Sequence, residues 1–115
     1  MDDIRKKRVE EELRTEIASL ILSGEVKDPR INSFLSITRV DVARDGSFAR
    51  VYVSTFEEGE ALSRGVAGLN NAAGFIQSSL GRKMKLRLTP KIRFIADEGI
   101  KQGFEMNEKI KDLFS

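Results

Sequence analysis

The side chains in this sequence best suited to a chemical role are cations in a segment that contains no acidic residue. From Ala61 to Ala96 the chain contains no Asp and no Glu, while it carries seven positive charges. They are Arg64, Arg82, Lys83, Lys85, Arg87, Lys91 and Arg93. Because the whole chain has a formal net charge of only +2, the remainder is net negative. This separation of charge predicts contact with a polyanion.

A group of small residues precedes most of these cations. Small side chains at Ala72 and Gly74 would let a phosphodiester approach the backbone. A helix that starts at this point would also present free amide groups to the phosphate. The alternative is that Ala72, Ala73 and Gly74 merely allow two helices to pack closely, but the neighbouring positive charge favours binding.

Two residue types on which most hydrolases and metalloenzymes depend are missing. The chain has no His and no Cys, which removes the usual proton-transfer group, thiolate chemistry and the commonest metal ligands. Asp and Glu show no paired arrangement with metal-ligand spacing, and no phosphate-binding Gly-Lys-Ser/Thr loop occurs. We therefore expect a non-catalytic protein without a metal, a cofactor or a small-molecule substrate.

Length and hydropathy predict a small cytoplasmic protein. The 115 residues fit one domain, 1–115, in which about 98–115 form a C-terminal extension. No stretch approaches the roughly 18 apolar residues of a membrane span, and the charged start is not followed by a signal-peptide core. We expect a monomer with no membrane contact.

Apolar periodicity predicts a helix and a β-hairpin in the first half of the chain. Apolar residues at every fourth position predict a helix over about 3–23, capped by Asp2 or Asp3 and ended by Gly24. A change of alternation phase predicts a first strand with a bulge near Thr38 and Arg39. A second strand follows over 47–56, and its small and branched side chains should face the helices. These are Ala49, Val51, Val53 and Thr55.

The opposite face of the second strand carries aromatic residues beside arginine. It consists of Phe48, Arg50, Tyr52, Ser54 and Phe56. One interpretation is a surface that stacks RNA bases. The other is that the apolar residues of a C-terminal helix, predicted over about 103–114, cover this face.

A helical stripe with an interruption predicts two helices in the second half. Apolar residues from Leu62 to Leu80 keep helical spacing, but the small residues around Gly74 weaken a continuous helix. We expect a helix, a kink, and a second helix that Asn71 caps and Gly81 ends. Alternation over 83–88, interrupted at Thr89 and Pro90, then predicts the approach to a third strand completed by 92–96.

The resulting fold class is α+β with the order of a type II KH-like domain. Helix, strand, strand, helix, kinked helix and strand place the helices on one face of a three-stranded sheet, with a C-terminal helix added. KH domains hold nucleic acid at a Gly-x-x-Gly loop between two helices. The literal match at 65–68 is rejected as that loop, because a turn there would break the helical stripe in its middle.

A second group of cations lies at the start of the first helix. Positive charge in these turns opposes the helix dipole, so helix stability alone does not favour it. One interpretation is an auxiliary anion contact, and the other is a solvated face balanced by Glu residues at helical spacing. With a loop arginine, the predicted secondary contacts are Arg5, Lys6, Lys7, Arg8 and Arg30.

The sequence resembles the bacterial ribosome-binding factor A family over most of its length. The matching segments are 28–31 in the first loop, 51–54 in a strand, 71–76 at the kink, and 80–83 with 86–90 in the basic region. The most specific feature is an Ala-x-Gly kink, Ala72 to Gly74, in place of Gly-x-x-Gly. The resemblance implies a factor that binds the immature small ribosomal subunit and its 16S rRNA late in maturation and rRNA processing, with a link to growth in the cold.

The resemblance also implies which residues contact RNA. The kink would admit the RNA backbone, and the cations that follow would neutralise phosphates. The predicted contacts are Ala72, Gly74, Arg82, Lys83, Lys85, Arg87, Lys91 and Arg93. Two alternatives remain, namely a generic KH-like binder of single-stranded RNA and a protein-interaction module with an acidic partner.

Overall fold

Three helices cover one face of a three-stranded mixed sheet in the computed structural model, which describes residues 2–98. In chain order the elements are α1 (Asp3–Ser23), β1 (Ser36–Val42), β2 (Phe48–Ser54), α2 (Ala61–Asn71), α3 (Ala73–Lys83) and β3 (Lys91–Ala96). This confirms the predicted α+β class and the KH-like order of elements. The predicted C-terminal helix over about 103–114 lies outside the described residues.

The first helix has the predicted bounds because both of its ends are capped. At the start, the Asp2 side chain accepts a hydrogen bond from the Arg5 amide at 2.8 Å. At the end, Gly24 adopts a φ of 75°, a left-handed conformation that glycine adopts without a steric penalty. The apolar stripe between these caps is buried, and it consists of Val9, Leu13, Ile17, Leu20 and Ile21.

The sheet has β2 at its centre, antiparallel to β1 and parallel to β3. The β1–β2 register shifts between Ile37 and Arg39, which confirms the bulge predicted near Thr38. Ala49, Val51 and Val53 of β2 are buried beneath the helices, as predicted. α1 packs on β1, whereas α2 and α3 pack on β3.

A carboxylate of α1 covers part of the outer edge of β1. Glu10 Oε2 accepts a hydrogen bond from the Val42 amide at 2.8 Å. Lys6 Nζ lies 3.4 Å from Glu10 Oε2 and 3.1 Å from Asp41 Oδ1, so it bridges the helix and the strand. α1 is therefore fixed to the sheet by polar contacts as well as by its apolar stripe.

The region after the kink differs from the sequence prediction. α3 does not end at Gly81 but continues to Lys83, and the alternating residues 84–88 form no strand. A Cβ on Gly81 would lie 3.1 Å from Thr89 Oγ1, so this glycine allows the chain to return close to the helix. The alternation is not a sheet face, because Met84 is buried in the core while Leu88 is 53% exposed.

Candidate nucleic-acid interface

The kink between α2 and α3 is a single residue, Ala72, which ends one helix and begins the next. Its amide donates to the carbonyls of Gly68 at 3.0 Å and Leu69 at 3.1 Å, and its carbonyl accepts from the Ile76 amide at 3.0 Å. Asn71 does not cap α3 as predicted, because Ala72 is the N-cap and no side chain bonds there. The first amides of α3 have no intrahelical acceptors and are therefore available to an anion.

Gly74 lies on the open side of this kink. A Cβ built on Gly74 would meet nothing within 4 Å, so no packing requirement explains the glycine. The next residue, Phe75, is 48% exposed. Ala72 and Ala73 are partly buried against the core. The geometry thus leaves room for a ligand at Gly74, next to an exposed aromatic ring.

The glycines of the literal Gly-x-x-Gly match have a different environment. A Cβ on Gly65 would lie 2.8 Å from the Leu35 methyl groups, and one on Gly68 would lie 3.2 Å from Asp28 Oδ1. Both residues are inside α2. These two glycines allow close packing within the fold, which supports the rejection of 65–68 as a binding loop.

A side-chain amide fixes the kink to the edge of the sheet. Asn70 Oδ1 accepts from the Phe94 amide at 2.8 Å, and Asn70 Nδ2 donates to the Phe94 carbonyl at 2.9 Å. Arg93 is the neighbour of Phe94 and points to the face of β3 away from the helices, as does Lys91. The kink is therefore fixed beside β3, whereas Lys91 and Arg93 lie on the opposite face of that strand.

Arg82 and Lys83 lie at the far end of α3, roughly 15 Å from the kink by helical rise. Arg82 Nη2 donates to Ser79 Oγ at 3.2 Å, and Lys83 Nζ lies 3.6 Å from Glu25 Oε2. Both side chains remain at the surface. The helix itself separates these two predicted contacts from the kink.

Lys85 and Arg87 lie in the loop after α3, beside the first turns of α1. Arg87 lines a cleft with Arg5, and Lys85 lines an adjoining hollow with Arg8. The structure thus joins two predicted secondary contacts to the second half of the basic run. We refer to Arg82, Lys83, Lys85 and Arg87 as the basic segment.

Arg44 is a cation that the sequence reasoning missed. It lines the same cleft as Arg87 and Arg5, although it lies in the turn between β1 and β2. It falls outside the acid-free window, so charge counting along the chain did not select it. The one local signal was an arginine directly before the Asp45 and Gly46 turn.

Other predicted secondary contacts have partners within the protein. The hydrogen bond to Asp41 raises the pKa of Lys6 above its ordinary value, and Glu10 adds to this effect. Arg30 forms hydrogen bonds of 3.0 and 2.7 Å to the Asp28 carboxylate, which lower the pKa of Asp28 to about 2. Lys7, in contrast, is exposed on α1.

The aromatic face of β2 carries one cation–π contact. The Arg39 guanidinium lies 4.2 Å from the centre of the Tyr52 ring. Arg50 lies on the same face, in register with Arg93 of β3. This arrangement is compatible with both interpretations of the face. It could stack RNA bases, or residues beyond 98 could cover it.

A metal site requires clustered metal-ligating side chains, and a membrane span requires a long apolar helix. Residues 2–98 contain no group of three or more His, Cys, Asp and Glu residues that could hold a metal ion. No helix among the described residues combines the length and the apolar character needed to cross a bilayer.

A bulky side chain at the kink tests its role directly. We expect Gly74→Val to weaken binding to RNA about tenfold, because the branched side chain would occupy the approach of a phosphate. Stability should change by only a few tenths of a kcal/mol, since the space is open and valine is at least as good a helix former as glycine. An RNA-binding titration and thermal unfolding measure the two effects.

The matched control for this substitution is Ser19→Val, which adds the same side chain at an exposed position of α1. It should leave both binding and stability nearly unchanged. If Gly74→Val bound RNA with wild-type affinity, the kink would have only a structural role.

Comparisons of the sequence and of the structure with known proteins both match the same family. The sequence model of the family described as Ribosome-binding factor A matches residues 5–110. Ribosome-binding factor A of Treponema denticola is 46% identical over 98% of this chain and 86% of its own length. The crystal structure of ribosome-binding factor A from Thermus thermophilus is similar with a TM-score of 0.66 and 30% identity, covering 79% of this chain and 94% of that one.

A second structural relative comes from a study of a complex. It is a homology model of Thermus thermophilus ribosome binding factor A, fitted into a cryo-EM map of a 30S complex with that factor. Its TM-score is 0.58 at 28% identity, and the match covers 76% of this chain and 90% of that one.

Proposed function

The chain belongs to the ribosome-binding factor A family, and from that premise we propose that it binds the immature small (30S) ribosomal subunit. The proposed ligand within the subunit is 16S rRNA, and the proposed stage is late maturation and rRNA processing. The action is non-catalytic, takes place in the cytoplasm and supports growth in the cold. The chain acts as a monomeric single domain that includes residues 98–115.

The observation that carries this proposal is the open kink beside an acid-free run of cations. Gly74 leaves space for a phosphate at the start of α3, while Lys91 and Arg93 lie on the neighbouring strand β3, on the face away from the helices. The basic segment lies at the other end of α3 and in the loop beside α1. RNA backbone would contact Ala72 and Gly74 first, and then the cations on either side.

The proposed mechanism is a shift in RNA conformation. A factor that binds one conformation of the rRNA more tightly than another displaces the equilibrium by the difference in binding free energy. Phosphate contacts hold the protein on the RNA, and the kink restricts binding to a backbone that can enter it. No bond is made or broken in this scheme.

Salt dependence of co-sedimentation with small subunits tests the proposal. If about five cations engage phosphates, the logarithm of the affinity should fall against the logarithm of salt concentration with a slope of about −3.5 to −4.5. Large subunits and free oligonucleotides provide the comparison. Preference for small subunits supports the assembly factor, whereas equal or better binding to short oligonucleotides would favour a generic single-strand binder.

A protein partner is the remaining alternative. The basic surface could contact an acidic protein, and such a contact would survive nuclease treatment of a pull-down. Complete loss of the bound subunit components after nuclease treatment supports RNA as the ligand.

A further inference from the structure

The cleft between α1, the β1–β2 turn and the loop before β3 has the features of a nucleotide site. Its volume is about 490 Å³, which lies within the roughly 300–1,000 Å³ range of clefts that bury small ligands. Val9, Val42 and Leu86 provide an apolar floor, and Leu88 adds an exposed apolar wall. This cleft is formed by elements distant from the kink in the chain.

Three arginines line the same cleft as this apolar floor. Arg5 comes from α1, Arg44 from the turn and Arg87 from the loop, so three separate segments bring positive charge to one opening. Within residues 2–98 neither Arg44 nor Arg87 forms an ion pair, so both can bind an incoming anion. Guanidinium groups suit this role because they bind phosphate in a bidentate manner and also stack on bases.

The Asp45 carboxylate makes the two ends of the cleft chemically different. Asp45 Oδ1 accepts from the Ser47 amide at 3.0 Å and from Ser47 Oγ at 2.7 Å, and these bonds lower the pKa of Asp45. The charged Asp45 wall would repel a phosphate but accept a hydrogen bond from the amino group of a base. A nucleotide would therefore place its base toward Asp45 and its phosphate toward Arg5 and Arg87.

An adjoining hollow offers a place for the next phosphate along the chain. It shares Arg5, Val9 and Leu86 with the cleft and adds Arg8 and Lys85. Asp2 and Glu12 also line it, so its cations are partly balanced. The cleft and this hollow therefore adjoin each other beside the first turns of α1.

We propose that this cleft captures one unstacked nucleotide of single-stranded RNA, with the base on the apolar floor and the phosphate on the arginine rim. The proposal rests on the proposed function, because it takes RNA as the ligand. It adds a second contact region that reads a single-stranded segment, separate from the backbone contact at the kink. Stacking of extruded bases between apolar and planar side chains is a general mode of RNA recognition.

Amide NMR shifts of the full chain, titrated with hexacytidylate at low salt, test the proposal. We expect amides of residues 44–46 and 86–88 to shift. Arg44→Ala should weaken hexacytidylate binding about fivefold, through loss of the guanidinium group that lies beside the base and can stack on it. Shifts confined to the kink and β3, or no shifts, would overturn the proposal.

Arg64→Ala is the matched control, because it removes the same charge from an exposed arginine. Gly65, next to Arg64, packs near Leu35 at the start of β1, whereas the cleft lies at the end of that strand, roughly 20 Å away. Arg64→Ala should weaken binding less than twofold. Equal effects of the two substitutions would show general charge attraction and overturn the cleft as a site.

Co-sedimentation of the same protein with small subunits distinguishes this proposal from the proposed function. Subunit binding without cleft shifts would overturn the cleft alone. Cleft shifts without subunit binding would support the cleft and contradict the ribosomal function.

Discussion

A chain in which all four cations of the basic segment are replaced by Glu is expected to bind small ribosomal subunits at least about 100-fold more weakly. Each phosphate contact contributes through counterion release, and reversal replaces attraction by repulsion. Co-sedimentation over a salt series measures the loss. The residual affinity should show a much shallower salt slope, because fewer counterions are released.

The fold should survive this change, since the four side chains form few contacts. The Lys83–Glu25 pair at 3.6 Å is at the surface, where such pairs contribute about 0–1 kcal/mol. New Glu side chains at 83 and 85 would, however, lie near Glu11 and Glu12 of α1. Replacing the four cations by Ala avoids this repulsion and should still weaken binding about tenfold. Unchanged co-sedimentation of the Glu variant at moderate salt would contradict the assignment of the basic segment.

Asn70→Leu is expected to destabilise the fold by about 2–4 kcal/mol. The substitution leaves both the amide and the carbonyl of Phe94 without the partners they have at 2.8 and 2.9 Å. Each unsatisfied buried polar group costs about 1–3 kcal/mol. Urea denaturation measures the change, as a lower midpoint with an unchanged slope.

The adjacent Asn71 provides the control for this substitution. It has the same side chain but is exposed, and its amide reaches Asp28 rather than a strand. Asn71→Leu should therefore cost less than about 1 kcal/mol. Equal costs at the two positions would mean that the pairing of Asn70 with β3 does not stabilise the fold.

Local signals in the sequence were sufficient to predict α1 and the bulge in β1. Apolar residues at every fourth position, with Asp2 before them and Gly24 after them, predicted α1 with its observed bounds. The change of alternation phase near Thr38 predicted the bulge in β1. These features depend on residues close together in the chain, so periodicity and capping rules suffice.

Tertiary contacts determined what the sequence could not show. Gly81 accommodates the close approach of Thr89 and does not end α3, and the burial of Met84 means that the alternation around it is not a strand pattern. The cleft was also invisible, because Arg5, Arg44 and Arg87 come from three distant segments. Likewise, no local pattern indicated that Asn70 would bond to a strand 24 residues later.

The hydrogen bond from the Val42 amide to Glu10 affects self-association. β1 is an outer strand, and open strand edges are where identical chains add to one another and begin to aggregate. At Val42 an incoming strand would first have to displace a carboxylate that Lys6 also holds. A concentrated solution of this protein should therefore resist growth of intermolecular sheets from that end of β1, and neutralising Glu10 would remove the barrier.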